Sequence, residues 1–201
     1  MPRVLGEARR AAVAAEEIAR HSLMAVTDNP VVIPKGEQRG ADPVISTGGF
    51  HNIQAAAAMD ALTAAYANLA VLAGRIAAKL QDGSVSLLPP FLGLDDGLAY
   101  LGCLPMAIVG YEEEMRMLAQ PSLLPGSESG GFGQDDVAAP VFRAWTKVDR
   151  AGALLEQVLA TMAPVAMRAL TVTNHALPEN LVELANKVSE LYPDQNGPEN
   201  F

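Results

Sequence analysis

The sequence predicts an all-α protein whose long antiparallel helices form part of an oligomeric helix-bundle core. Half of its 201 residues are apolar and only 5% are aromatic, which suits close-packed helices rich in alanine, leucine and valine. Apolar residues recur three or four positions apart through long segments, which is the spacing of one helix face. Proline and glycine are concentrated between those segments, where they separate one helix from the next.

The first helix is expected over about 3–27. It ends at TDNP (27–30), because the residue before a proline is pushed out of the α region. Residues 31–49 are expected to form a loop or a short hairpin that closes on STGGF. The later helices are expected over about 99–118, 135–163 and 179–192, with irregular stretches at 87–98 and 120–134 and a further candidate helix at 164–178.

The second helix is expected over about 51–82 and is almost uncharged. At 1.5 Å per residue it would be roughly 48 Å long, too long for a compact chain of this size to cover alone. Burial in an oligomer, through self-association of this chain, is therefore expected. Residues 53–72 could span a membrane by length, but Asp60 near the bilayer centre would be costly, so no membrane span is expected.

Charge and cysteine content exclude several classes of protein. Acidic residues number 23 and basic residues 14, so the net charge of −9 argues against binding to nucleic acid or to an anionic membrane surface. The single cysteine, Cys103, excludes an intramolecular disulfide and any multi-cysteine metal site. No metal site is expected. The N-terminus has no long apolar run after its basic residues, so no secretory signal is seen and a cytoplasmic location is expected.

Three short motifs between the helices could carry chemistry: TDNP (27–30), STGGFH (46–51) and GGFGQDD (130–136). Each has a plain structural interpretation. Asp28 and Asn29 stop a helix, while the glycines of STGGFH make a tight turn in which Phe50 anchors and His51 starts the next helix. Asp135 and Asp136 would cap a helix start.

Taken together and in order, these motifs resemble the C-terminal half of the aromatic amino acid ammonia-lyases and aminomutases. MPRVLG (1–6) is similar to the family's P-Q-V-x-G, TDNPVVIP (27–34) to S-D-N-P-L-V, and STGGFH to S-G-G-N-F-H. LPPFL (88–92) matches closely, LDDG (94–97) resembles L-N-S-G or L-D-Y-G, and QPS with GQDD (120–136) resembles H-P with N-Q-E-D. The resemblance covers roughly 2–165. It predicts a lyase-like helical core over 1–165 and a short helical C-terminal extension over 166–201.

The resemblance implies an all-helical tetramer with active sites shared between subunits. The family's electrophile is a 4-methylidene-imidazol-5-one ring made from an Ala-Ser-Gly tripeptide, and a tyrosine base removes the β-proton of the substrate. This sequence contains no Ala-Ser-Gly, and it begins after the family's Y-S-x-R motif, whose arginine binds the substrate carboxylate. The ring and the tyrosine are therefore expected on a partner chain that carries the N-terminal lyase half. A fragment of a full-length lyase would look similar.

The resemblance also assigns roles to particular residues. Phe50 matches a phenylalanine that packs beside the electrophile, and Asn29 matches an asparagine close to the same site. The family's catalytic glutamate or glutamine falls on Asp135 or Gln134, because the loop here has one extra residue. Ala99 and Cys103 fall on helix positions that line the pocket for the substrate side chain.

Two functions follow from the sequence. The first is the C-terminal-half subunit of a split ammonia-lyase or aminomutase that acts on an aromatic-type α-amino acid. The second is a non-catalytic helical assembly or regulatory protein derived from a lyase, in which the loops are retained for packing alone. A neighbouring gene that encodes Ala-Ser-Gly and ends in Y-S-x-R would favour the first.

Overall fold

The computed structural model describes residues 1–38, 40, 42–93, 99–123, 139–173 and 175–191. Within these ranges the chain is helical apart from its loops and one two-stranded hairpin. The α-helices are α1 (Pro2–Met24), α2 (Ile53–Gln81), α3 (Gly83–Ser86), α4 (Leu104–Leu118), α5 (Val141–Thr173) and α6 (Val182–Leu191). Short 3-10 helices cover Pro90–Leu92, Ala99–Cys103 and Glu179–Leu181. The prediction of an all-α protein is confirmed.

The segment 31–49 was predicted to be a loop or a short hairpin, and the structure shows a short hairpin. Strand β1 (Val31–Val32) pairs antiparallel with β2 (Val44–Ile45), so that Val31 lies opposite Ile45. A further main-chain hydrogen bond, from Ile33 N–H to the Pro43 carbonyl at 2.8 Å, extends the pairing by one residue. The hairpin therefore brings the two ends of this segment side by side.

The last long helix begins later than predicted, and it continues without a break into the segment 164–178, which was predicted as a further candidate helix. Residues 139–140 are not helical, and α5 begins at Val141 because the residue before Pro140 is disfavoured in the α region. Residues 135–138 lie outside the described part. At its other end α5 continues to Thr173 through Pro164, although an internal proline removes one helix hydrogen bond. The next turn is held by packing, since Val165, Arg168 and Ala169 are buried. The predicted domain boundary at 165 falls inside α5 and stays a prediction.

The chain divides into two compact units. The hairpin unit comprises Pro2–Ala65 and Leu118–Ala151, and the cavity unit comprises Met1, Tyr66–Met117 and Gly152–Phe201. Among the described residues of the hairpin unit, the buried apolar side chains are all alanines: Ala11, Ala56, Ala58, Ala65, Ala144 and Ala151. The cavity unit has larger buried side chains, including Leu92, Leu101, Ile108, Met115, Leu154, Val158 and Val165. The fully buried Arg168 donates from Nε to the Leu92 carbonyl at 3.1 Å.

Gly74 lets α2 and α4 approach closely in the cavity unit. A Cβ atom at this position would lie 2.8 Å from Ile108 Cγ2 and would collide with the Glu112 carboxylate. Gly110 on α4 has no such neighbour, because nothing lies within 4 Å of a Cβ built there. Alanine substitutions at Gly74 and at Gly110 therefore distinguish the effect of a close helix contact from the effect of helix propensity.

We expect Gly74→Ala to lower the free energy of unfolding by about 1–3 kcal/mol, the usual cost of overpacking. Gly110→Ala should raise it by up to about 1 kcal/mol, because alanine favours a helix over glycine. Urea denaturation followed by circular dichroism measures both. Equal responses of the two variants would show that α2 and α4 are not in tight contact at Gly74.

Two helices, α2 and α5, are long and apolar enough to cross a membrane by length and composition, with mean hydropathies of 1.4 and 1.3 in their most apolar windows. Core helices of soluble proteins meet the same criterion, so this is weak evidence for a membrane span. Asp60 on α2 pairs with Lys147 on α5, so each helix carries one partner of a largely buried ion pair. The absence of a membrane span stays a prediction.

Candidate functional site

The loop after α1 is fixed to the segment that precedes α2 through the side chain of Asn29. Its Oδ1 accepts hydrogen bonds from the Thr47 N–H at 2.9 Å and from Ser46 Oγ at 3.2 Å. Thr47 Oγ1 donates in turn to the Asp28 carbonyl at 2.7 Å. Within the part of the chain that the structure describes, the Asn29 amide nitrogen makes no hydrogen bond, so it can donate to a bound group.

A tight turn then presents Phe50, as the glycines predicted. The His51 N–H donates to the Gly48 carbonyl at 3.0 Å and closes the turn. Glycine is required at position 49, because a Cβ there would collide with the Val26 carbonyl oxygen. The Phe50 side chain is left 52% exposed, and its ring meets the His51 ring edge-on, with 6.5 Å between centroids. The turn therefore holds an exposed aromatic ring beside the loop that carries Asn29.

Helix α2 begins two residues later than the sequence predicted, at Ile53, and its cap is Asn52, not His51. Asn52 Oδ1 accepts from the Ala55 N–H at 3.3 Å, and its Nδ2 donates to Ser22 Oγ at 3.0 Å. The start of α2 is thereby tied to the end of α1. The sequence could have predicted Asn52 as the N-cap of α2, because asparagine is among the strongest N-cap residues.

A largely buried polar cluster includes residues that come shortly before the segment carrying Gln134 and Asp135. We call Asp60, Gln120, Ser122 and Lys147 the Asp60 cluster. Lys147 Nζ donates to Asp60 Oδ1 at 2.8 Å, to Ser122 Oγ at 2.8 Å and to the Gln120 carbonyl. Asp60 also accepts from the Ser122 N–H and hydroxyl, each at 2.6 Å. All three protons of the ammonium are therefore used, and both carboxylate oxygens are bonded.

Sequence reasoning missed this cluster. The sequence marks Asp60 only as a charge unsuited to a membrane, and no pattern in it marks Lys147. The Asp60 and Lys147 side chains are 14% and 11% exposed, so each ion needs a partner. The sequence signal that could have predicted the cluster is a lone carboxylate in an otherwise apolar helix, because a buried carboxylate normally has a positively charged partner.

The pKa of Asp60 lies below its usual value in the folded chain. Burial alone would raise this pKa, but hydrogen bonds from Lys147 and Ser122 together with the charge of Lys147 outweigh burial. A depressed carboxylate pKa means that the unfolded chain binds the proton more tightly. The stabilisation from this group is therefore present above the unfolded pKa and is lost as the pH falls through the folded one.

We expect the free energy of unfolding to fall as the pH drops below about 4, and to fall less steeply in Asp60→Asn. Urea denaturation between neutral pH and pH 3 measures both slopes. Asp149→Asn removes an exposed carboxylate from α5 and serves as the matched control. An acid response of Asp60→Asn equal to that of the unsubstituted chain would contradict the assignment.

Ala99 and Cys103 lie at the two ends of a 3-10 helix, and not within an α-helix as the predicted span 99–118 implied. Gln81 Nε2 holds this helix by donating to the Leu101 carbonyl at 3.0 Å. The helix borders a cavity of about 460 Å³, which Gln81 and Gly102 help to line. Cys103 is exposed.

The structure thus brings together some of the predicted site residues. Asn29 and Phe50 lie in the hairpin unit and are joined through the segment 46–50. Ala99 and Cys103 lie in the cavity unit. Gln134 and Asp135 lie outside the described residues, so their predicted roles, and that of Asp136 as a cap, stay predictions.

Comparison with known proteins identifies relatives along almost the whole chain. A family model described as aromatic amino acid lyase matches residues 1–192. Histidine ammonia-lyase from Streptomyces coelicolor is 33% identical over 182 residues, which are 88% of this chain and 34% of that protein.

Solved structures show the same fold. Phenylalanine aminomutase from Pantoea agglomerans superposes with a TM-score of 0.87 at 24% identity, over 99% of this chain and 38% of that one. Tyrosine aminomutase from Streptomyces globisporus superposes with a TM-score of 0.85 at 25% identity, over 100% of this chain and 37% of that one. The chain spans about a third of the length of the curated relatives it matches. It belongs to the aromatic amino acid lyase family.

Proposed function

We propose that this chain supplies part of the active site of an ammonia-lyase or aminomutase that acts on an aromatic-type α-amino acid. The rest of the site, including the Ala-Ser-Gly tripeptide, is on a partner chain that carries the N-terminal lyase half. One observation carries the proposal: Phe50 and Asn29 are held together by a built turn, yet the ring of Phe50 is half exposed. A ring that a turn holds in place and leaves half exposed is available to pack against a group bound beside it.

The surface of the chain supports association with other chains. Many large apolar side chains are exposed, and single exposed residues need no explanation, but apolar surface on this scale is typical of an interface. In the described part of the chain, those exposed by more than 70% are Leu23, Met24, Leu87, Met106, Met117, Phe142 and Leu191. We propose that this surface is covered by self-association into a tetramer-like core and by the partner chain.

The residues around Phe50 fit a planar ring supplied by the partner. The sequence has no Ala-Ser-Gly, so a 4-methylidene-imidazol-5-one group cannot form from this chain. The exposed face of Phe50 can pack against a flat group, and the Asn29 amide nitrogen can donate to a carbonyl oxygen. When bound, that group supplies the electrophile of the reaction. The contribution of this chain is to pack against it, orient it and exclude water from it.

Gln134 and Asp135 are proposed as the polar residues that face the substrate. A carboxylate from Asp135 could accept hydrogen bonds from an ammonium group or a polar ring, whereas Gln134 could only hydrogen-bond without charge. Ala99 and Cys103 are proposed to line the pocket for the substrate side chain. The named relatives include enzymes of histidine, phenylalanine and tyrosine, which is why an aromatic-type amino acid is proposed.

Native mass spectrometry of the untagged protein from its own cells tests the proposal. A complex with a second chain of about 300 residues would support it, since the 182 matched residues are only 34% of a full-length relative. The complex should release ammonia from histidine, phenylalanine or tyrosine if it is a lyase, or convert one of them to its β-amino acid if it is an aminomutase. A single longer polypeptide with Ala-Ser-Gly would retain the activity but overturn the split. Homo-oligomers of this chain alone would overturn both and favour a non-catalytic helical assembly.

A further inference from the structure

One face of helix α1 is exposed along most of its length. The covered face of α1 runs from Val4 to Ser22 at alternating steps of four and three residues. The opposite face is centred on Val13, whose side chain is 55% exposed. A groove of about 420 Å³ follows this exposed face, and we call it the α1 groove. It is lined by Gly6, Arg9, Arg10, Val13, Ala14 and Glu17. All six belong to α1, so a second helix can pack along the groove without displacing any described part of this chain.

Four charged residues are arranged symmetrically about Val13. Two arginines precede it by four and three residues, and two glutamates follow it by three and four: Arg9, Arg10, Glu16 and Glu17. At about 100° per residue, Arg9 and Glu16 lie on one side of Val13. Arg10 and Glu17 lie on the other side. Each side of the exposed face therefore has a cation towards the start of α1 and an anion towards its end.

Three of these four charges have no ion-pair partner in the described part of the chain. They are Arg9, Glu16 and Glu17. Arg10 pairs with Glu7 through Nε and Nη2, which leaves its Nη1 available for a second carboxylate. The exposed face of α1 therefore offers two cations and two anions to a partner of matching charge.

The described residues also give no steric reason for the glycine at position 6. Gly6 lies inside α1, where glycine weakens a helix relative to alanine. Nothing lies within 4 Å of a Cβ atom built at this position, so no neighbour in this chain needs the space. A helix backbone without a side chain does, however, allow a second helix to approach closely.

We propose that the α1 groove receives α1 of a second copy of this chain, in antiparallel orientation, with a two-fold axis beside Val13. On one side of the axis, Arg9 of each copy meets Glu16 of the other. On the opposite side, Arg10 of each copy meets Glu17 of the other. The interface is isologous, because the same face of both copies is used. All four contacts then join opposite charges.

The charge pattern selects the antiparallel orientation. In a parallel pair, arginines would face arginines and glutamates would face glutamates, which is repulsive. Exposed ion pairs add little affinity, so their part here is to set orientation and register.

Apolar contact supplies the attraction between the two helices. Val13 meets Val13 of the second copy at the axis. Leu5 is 50% exposed and Leu23 is 87% exposed, and in this register Leu5 of each copy lies near Leu23 of the other. Gly6 lies opposite Arg20 of the second copy, whose aliphatic stem can cover the bare backbone.

The pairing rests on the self-association proposed above and specifies one of its interfaces. It is tested in the chain alone, without the reaction. Its failure would therefore leave the proposed contribution to the active site untouched, and loss of activity in the complex would leave the pairing untouched.

Charge reversal tests the contacts. Arg9→Glu/Arg10→Glu and Glu16→Arg/Glu17→Arg each place like charges opposite one another in the antiparallel pair. We expect the dissociation constant for self-association to rise at least about tenfold in each double variant. The quadruple variant, which combines all four substitutions, has opposite charges at every contact again and should associate like the unsubstituted chain. An equimolar mixture of the two double variants should associate as well. Sedimentation over a concentration series measures all of these.

Arg75→Glu/Lys79→Glu is the matched control. It makes the same change in net charge as Arg9→Glu/Arg10→Glu, at two exposed positions of α2. Self-association of this variant should equal that of the unsubstituted chain. Circular dichroism of every variant checks that the helices are retained.

Cross-linking tests the orientation in a Cys103→Ser background, which removes the native thiol. At an ordinary distance between packed helices, the two Val13 Cα atoms would be about 5 Å apart, within the range of a disulfide. Val13→Cys should therefore form a covalent dimer under mild oxidation. The two Arg20 positions would be about 21 Å apart along the antiparallel pair, so Arg20→Cys should not cross-link.

Several results would overturn the proposal. One is unchanged self-association in both double variants, and another is an equal loss in the α2 control. Failure of the folded quadruple variant to associate would also contradict it. A disulfide through Arg20→Cys would show a parallel pair, and cross-linking of Val13→Cys to a different polypeptide in the protein's own cells would show that another chain occupies the groove.

Discussion

Phe50→Ala is expected to lower turnover by the reconstituted lyase complex about a hundredfold, the scale of loss that follows when reacting groups are misplaced. The Phe50 ring is half exposed in this chain, so it contributes little to the core of the chain itself. Its removal should cost the folded chain no more than about 1 kcal/mol. Activity and stability are therefore expected to separate, which steady-state kinetics and thermal denaturation of the same preparation would show.

Phe142→Ala is the matched control, because it removes the same ring from a position that is 85% exposed on α5. Phe142 belongs to the surface proposed for association and not to the active site, so any loss of turnover in this variant should be matched by a loss of assembly. Native mass spectrometry of both variants checks that assembly is retained. Wild-type turnover in Phe50→Ala would remove this residue from the active site, and equal losses in both variants would point to assembly.

Leu154→Asp is expected to unfold the chain. Leu154 on α5 is completely buried in the cavity unit, so the variant would lose a large apolar contact and place a carboxylate among apolar side chains. Each effect costs several kcal/mol, and small domains are stable by only about 5–15 kcal/mol in total. Loss of the cooperative thermal transition in circular dichroism is the expected result.

Ala153→Asp introduces the same charge one residue earlier, at an exposed position of α5. It should cost less than about 1 kcal/mol, the difference in helix propensity between alanine and aspartate. A folded Leu154→Asp variant with a normal melting temperature would show that this part of α5 does not form a core.

The helices could be predicted because their signals are local. Apolar spacing and the TDNP breaker placed α1 and α2 within a few residues of Pro2–Met24 and Ile53–Gln81. The continuation of α5 through Pro164 could not be read in this way. The packing of Val165 and its neighbours, which overrides the local cost of proline, is set by the rest of the fold.

The candidate site was predictable where a motif spans few residues. STGGFH encodes its own turn, and Asn29 was found through TDNP, although its bonds to Ser46 and Thr47 were not foreseen. The Asp60–Lys147 pair joins residues far apart in sequence, and no spacing rule predicts which lysine of a chain meets which carboxylate. The 3-10 helix at Ala99–Cys103 could not be predicted from local sequence either, because it depends on tertiary contacts such as the hydrogen bond from the Gln81 side chain.

The buried ammonium of Lys147 gives this protein an internal reporter of its own folding. The sequence has four lysines, and Lys35, Lys79 and Lys187 are exposed whereas Lys147 is not. Amine-reactive reagents must reach the amine nitrogen, and the Lys147 side chain is only 11% exposed and is held by three hydrogen bonds, so it is shielded from the reagent in the folded chain. Pulse acetylation read by peptide mass spectrometry would therefore count, molecule by molecule, how often the hairpin unit opens.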